Sequence, residues 1–114
     1  MTELDARSRI EKKITKGHAP SELFERLAET FQALGDASRV RIIWALSHGE
    51  LSVGTIAEIL EMSQPAVSHH LRTLRNLRLV RVRKEGTSAF YALDDVHIEG
   101  LLKEGTEHVL DLMS

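Results

Sequence analysis

The sequence predicts a mainly α fold carrying a small β-hairpin, in the order α-α-α-α-β-β-α, which is the arrangement of a winged helix-turn-helix. Three observations carry this prediction. Apolar residues recur at helical spacing through four successive segments up to Leu77. The period then switches to strict alternation, with Val80 and Val82 set against Arg81 and Arg83, and a Gly86-Thr87 turn signal follows. Helical spacing resumes after Asp94-Asp95.

Residues 1–18 are highly charged and end in Lys16-Gly17-His18, so they read as a flexible, partly helical arm ahead of a domain over 19–114. The first firm helix is expected over about 21–34, with Pro20-Ser21 as its start and Ser21 as cap. Leu23, Leu27, Phe31 and Leu34 form its stripe, and Gly35 stops it. Asp36 caps the next helix, whose inner face is expected from Val40, Ile43 and Trp44 with Leu46 and Ala37, ending near His48-Gly49. A short helix over about 53–60 turns Val53, Ile56, Ala57 and Leu60 inward. Ser63 ahead of Gln64-Pro65 is a cap followed by a first-turn proline, where the missing N–H costs little. The helix it opens, 64–77, carries Val67, Leu71 and Leu74 on one face. Strands over 79–85 and 88–93 make the hairpin. A last helix runs to about 112, with Ile98, Leu101, Leu102, Val109 and Leu112 as its apolar stripe.

The 114 residues suit one domain, and 42% hydrophobic with 28% charged residues is a globular composition. Aromatics make up only 4%, too few to build a base-stacking platform for single strands. The absence of cysteine excludes disulfides and thiolate metal ligands. Met1 to Ile14 has no apolar core of a signal peptide, and no stretch approaches a membrane span, so a cytoplasmic protein is expected. The net charge of −2 hides an asymmetry. From Ser63 to Ser88 the chain carries Arg72, Arg75, Arg78, Arg81, Arg83 and Lys84 against Glu85 alone. From Tyr91 onward it carries Asp94, Asp95, Glu99, Glu104, Glu107 and Asp111 against Lys103 alone. A basic middle and an acidic tail point to different partners for the two regions.

Two short helices, a tight Glu61-Met62-Ser63 turn and a polar outer face on the second helix make a helix-turn-helix. The second helix can enter the major groove of double-stranded DNA with its first turns against base edges. Ser63, Gln64, Ser68 and His69 stand near that end and can bond bases or phosphates. Arg72 and Arg75 lie further along and suit phosphates. Arg81 and Arg83 on the hairpin stem, with Lys84 and Thr87 at its tip, fit a wing along the backbone or minor groove. A double-stranded site suits a homodimer with two such helices about one DNA turn apart.

These residues resemble the ArsR/SmtB family of metal-sensing repressors. The resemblance rests on Leu34-Gly35-Asp36-Ala37-Ser38-Arg39-Val40-Arg41-Ile42, on Glu50-Leu51-Ser52-Val53 and on Ala66-Val67-Ser68-His69-His70-Leu71-Arg72. Leu74-Arg75, Leu79-Val80 and Arg83-Lys84-Glu85-Gly86 extend it, and it covers about 20–112. It implies a homodimer, paired through its first and last helices, whose operator affinity falls when metal binds. Many members carry a cysteine pair near the second of these stretches. Here the segment reads Glu50-Leu51-Ser52-Val53-Gly54-Thr55-Ile56, so a thiolate site there is excluded.

The last helix holds His97 and His108, which share a face but lie about 16 Å apart along the axis. One ion with zinc–nitrogen distances of about 2 Å cannot bridge them within one chain. Two such helices paired antiparallel across a two-fold axis would bring Asp95 and His97 of one chain to His108 and Asp111 of the other, giving two equivalent sites. Two imidazoles and two carboxylates suit tetrahedral zinc, or cobalt, and the physiological metal stays open among zinc, cobalt and nickel. His108 and Asp111 share a helix face, but Asp95 and His97 do so only if the first turn is irregular. The family resemblance implies this ligand set, since its interhelical sites use a D-x-H and H-x-x-(H/D/E) pattern that Asp95, His97, His108 and Asp111 match residue by residue. His18 could add a ligand from the arm, His48 reads as a helix C-terminal residue favoured by the macrodipole, and His69 and His70 serve DNA contact or packing.

The expected function is a metal-responsive transcriptional repressor, released from operator DNA by zinc or cobalt. The alternatives are a winged-helix regulator indifferent to metal and a protein-interaction module built on the acidic last helix. No nucleophile–base constellation, phosphate-cradling glycine loop or HExxH pattern is present, so an enzyme is not expected.

Overall fold

A computed structural model describes residues 2–13 and 20–114. The chain divides into two compact units, with the boundary after Gln32. His18 and the rest of the Lys16-Gly17-His18 segment lie outside the described residues. No helix among the described residues is long and apolar enough to cross a membrane.

In the first unit, the arm forms helix α1, Glu3–Lys13. Thr2 and Asp5 cap it reciprocally. The Asp5 amide donates to Thr2 Oγ1 at 3.1 Å, and the Thr2 amide donates to Asp5 Oδ2 at 3.2 Å. Helix α2 spans Pro20–Leu34 and crosses into the second unit at its last turn. Ser21 is therefore not the cap the sequence suggests. It lies inside the first turn, because proline's fixed φ suits the first helical position. Leu23, Phe24, Leu27 and Phe31 of α2 are all about half exposed and form an apolar stripe.

The second unit contains α3 (Ala37–Leu46), β1 (Leu51–Ser52), α4 (Val53–Leu60), α5 (Gln64–Asn76), β2 (Val80–Glu85), β3 (Ser88–Leu93) and α6 (Val96–Met113). Each of its helices begins at a cap. Asp36 Oδ2 accepts from the Arg39 amide at 3.0 Å, Ser52 Oγ from the Thr55 amide at 3.2 Å, and Ser63 Oγ from the Ala66 amide at 3.2 Å. The sheet order is β1-β3-β2, all antiparallel. The hairpin closes through Gly86, whose φ of 62° no β-branched residue would adopt readily. Strand β1 is an addition to the expected order, pairing Leu51 with Tyr91 and Ser52 with Phe90.

The core joins Ile42, Ile43 and Leu46 of α3, Ile56 and Leu60 of α4, Val67, Leu71 and Leu74 of α5, and Leu79, Val80 and Leu93 around the sheet. Trp44, Ala37 and Val40 do not join it. Ile42, Ile43 and Leu46 form the packed stripe of α3, and Trp44 falls on the far side, 50% exposed, edge-on to His48. His48 Nδ1 lies 3.0 Å from the Trp44 carbonyl, at the helix end expected for it. On α6, Ile98 and Leu102 pack partly against the core, while Leu101, Val109 and Leu112 remain exposed.

Candidate nucleic-acid interface and metal ligands

The turn between α4 and α5 is made by Glu61, whose φ of 55° is left-handed, and by Met62, whose amide donates to the Ala57 carbonyl at 3.0 Å. This fold-back aims α5 outward. Val67, Leu71 and Leu74 are fully buried beneath it. Gln64, Ser68, His69, Arg72 and Arg75 are all exposed on its other side. The exposed row therefore matches the polar face read from the sequence. Ser63 is exposed as well, with its oxygen engaged as the cap.

His69 and His70 part company. His69 is exposed, whereas His70 is part-buried on the flank of α5 and accepts a hydrogen bond at Nδ1 from Arg39 Nε, 3.3 Å away. That link is 31 residues long in sequence, and no local pattern announces it.

On the wing, Arg81, Arg83, Lys84 and Thr87 are exposed. Arg81 Nη1 donates to the Asp94 carbonyl at 3.0 Å, tying the stem to the start of α6. Arg83 is held differently from its neighbours. Glu85 at 2.7 Å and Glu50 at 2.9 Å flank its guanidinium, which also lies over the Phe90 ring at 5.1 Å. Hydrogen bonds to Glu85 and then Glu50 raise its already high pKa.

Asp95 is the N-cap of α6 and has extended backbone, so it stands outside the regular helix. Its Oδ1 accepts from the amides of His97 at 2.9 Å and Ile98 at 3.4 Å. Its Oδ2 lies 3.4 Å from His97 Nδ1. The irregular first turn that the pairing of these two residues requires is therefore the cap itself. Partial desolvation pushes the Asp95 carboxyl up, but hydrogen bonds from the His97 side chain and from both amides outweigh it, and the group is held below its ordinary value. His97 is 86% exposed. His108 and Asp111 are exposed near the other end of the same helix. Among the described residues of one chain, no three His, Asp or Glu come together as a metal cluster. One helix thus offers two half-sets of nitrogen and oxygen donors, both suited to a borderline divalent metal.

Residues 36–82 match the family described as bacterial regulatory protein, arsR family. The chain is 43% identical over 89 residues to a cadmium resistance transcriptional regulatory protein CadC homolog of Staphylococcus aureus, covering 77% of this chain and 74% of that protein. It is 42% identical over 85 residues to a transcriptional repressor SmtB homolog of Synechocystis, covering 75% of this chain and 64% of the homolog. Among solved structures, a homodimeric winged helix-turn-helix DNA-binding domain of Mycobacterium bovis, described as a possible ArsR-family transcriptional regulator, superposes with a TM-score of 0.74. It is 28% identical, with 84% of this chain and 90% of that one covered. These relatives are transcriptional regulators and not enzymes.

Proposed function

The chain belongs to the arsR family of bacterial regulatory proteins, and from that premise we propose that it is a homodimeric, metal-responsive transcriptional repressor whose operator affinity falls when zinc, or cobalt or nickel, binds between its last helices. The observation that carries this reading is the pairing of Asp95 with His97 at the start of α6, with His108 and Asp111 about three to four turns from the other half-set on the same helix. An antiparallel second copy of α6 supplies the missing half at each end. The exposed Leu101, Val109 and Leu112 beside these donors, and the stripe of α2, give two copies apolar surface to bury. The CadC and SmtB homologs and the homodimeric Mycobacterium bovis domain support the same reading.

The DNA-reading part assigns Gln64, Ser68 and His69 to base edges, with Ser63, Arg72 and Arg75 along the phosphates. Arg81, Lys84 and Thr87 carry the wing contacts, while Arg83 holds the wing in shape through its two carboxylates. A divalent metal, when bound, supplies bonds that fix the two α6 helices in one mutual arrangement. Asp95 can keep its Oδ1 on the two amides and offer Oδ2 together with His97, so the cap and the ligand role are compatible. If that arrangement spaces the two recognition helices poorly for successive grooves, each ligand weakens the other by the same factor. A coupling of about 1–3 kcal/mol is typical.

One observation favours a second reading, a winged-helix repressor without metal response. The capping bonds of Asp95 account for an aspartate at that position with no metal at all. Binding isotherms for a duplex selected by the protein from a random pool, with and without zinc, separate the two. Zinc weakens wild-type binding and leaves His97→Ala unaffected under the first reading. Saturating zinc that changes neither isotherm establishes the second.

A further inference from the structure

Arg39 occupies the third position of α3 and is part-buried. Its backbone amide is taken by the Asp36 cap. Its guanidinium joins two other elements. Nη1 donates to the Ala33 carbonyl in the last turn of α2 at 3.0 Å, and Nε donates to His70 Nδ1 at 3.3 Å. The rigid planar fork of arginine makes both bonds at once, which a single ammonium point charge cannot reproduce.

The position of His70 gives this link its meaning. It stands on the flank of α5, between the buried row of Val67, Leu71 and Leu74 and the exposed row that faces outward. The buried row holds α5 by apolar contact, which sets its depth but has no direction. A hydrogen bond on the flank has direction and resists rotation of the helix about its own axis. The His70 ring also lies against the exposed His69 ring, with centroids 5.8 Å apart. Base-edge hydrogen bonds tolerate only small errors of distance and angle, so rotation of α5 matters more for sequence reading than for phosphate contact.

We propose that Arg39, anchored on the Ala33 carbonyl, is a positioning residue for sequence recognition, setting through His70 the rotation at which α5 presents Gln64, Ser68 and His69 to base edges. This rests on the DNA-reading role of α5. Neither Arg39 nor His70 contacts DNA in this account, and their loss lowers specificity while leaving the electrostatic part of binding intact.

The experiment compares two probes, a duplex selected by the wild-type protein from a random pool and an unselected random-sequence duplex, across a salt series. Arg39→Lys and His70→Ala are each expected to bind the selected duplex roughly tenfold more weakly. The double variant should be no worse than the weaker single one. His70→Asn, which restores an acceptor near the Nδ1 position, should recover most of the loss. Binding to the unselected duplex and its salt slope should stay at wild-type values throughout. Unfolding midpoints are read alongside, and if His70→Ala does not fold, the comparison of His70→Asn with Arg39→Lys carries the test. Wild-type binding of the selected duplex by His70→Ala overturns the inference, as do additive losses. An equal loss on both probes, as a residue serving the phosphates would give, overturns it too. A wild-type protein that selects no duplex overturns the DNA-reading role itself, a distinct result that removes the inference with it.

Discussion

Arg83 lies 2.9 Å from Glu50, a carboxylate 33 residues earlier that stands just ahead of β1. With Glu85 on its other side, the arginine ties the wing to the entrance of the helix-turn-helix and spends its charge within the protein. Arg72 and Lys84 are exposed on the recognition helix and wing. Phosphate contacts show themselves in the salt dependence of binding, by about one in the slope for each charge removed. Arg72→Gln and Lys84→Gln are therefore expected to lower the slope by about one each, and Arg83→Gln to leave it near the wild-type value. Fluorescence anisotropy over a salt series reads all three.

Ser63 caps α5 through a hydrogen bond to the Ala66 amide, in an exposed turn where the hydroxyl is not buried. Ser63→Ala removes that acceptor and is expected to cost about 0.5–2 kcal/mol. Urea unfolding measures it. An unchanged midpoint would mean that solvent serves the first-turn amides equally well.

Arg78 follows the end of α5 with a left-handed φ of 58°. The Leu79 amide closes the turn on the Leu74 carbonyl at 2.9 Å, a geometry that glycine adopts without the Cβ penalty. Arg78→Gly is expected to stabilise the chain by up to about 1 kcal/mol, the relief of strain being partly offset by the freer unfolded chain. A raised thermal midpoint is the expected readout.

Asp36 provides a pH prediction. The Arg39 amide bond lowers its pKa, desolvation opposes this, and the Arg39 charge assists. A carboxyl whose folded pKa is depressed stabilises the fold above its unfolded value of about 3.9, and that contribution disappears as pH falls through the lower folded value. The stability difference between wild type and Asp36→Asn should be flat near neutrality and shrink below the ordinary carboxylate range. Denaturant unfolding at a series of pH values checks it.

Local chemistry made much of this molecule legible in advance. Asp36 and Ser63 announce their helices because a cap acts within three residues of its own backbone. The hairpin announces itself because alternation and a glycine turn are equally local. Trp44 is exposed against expectation because several faces of α3 are apolar, and only packing decides which is buried. Strand β1 has two residues, too few for a period to show. The Arg39–His70 and Glu50–Arg83 contacts join residues more than thirty apart, and nothing in either neighbourhood points to the other. The donor pattern of α6 was visible in the sequence, but the convergence of Asp95 and His97 depends on the cap leaving the helical path.

Each proposed metal site is shared between subunits, with His97 from one and His108 from the other. Cobalt absorption of mixed dimers tests it directly. His97→Ala and His108→Ala homodimers should each lose the tetrahedral cobalt spectrum. Refolding the two variants together should restore part of it, because a mixed dimer retains one site with both imidazoles. Mixing that restores nothing, while the wild-type protein binds cobalt normally, would contradict the shared site.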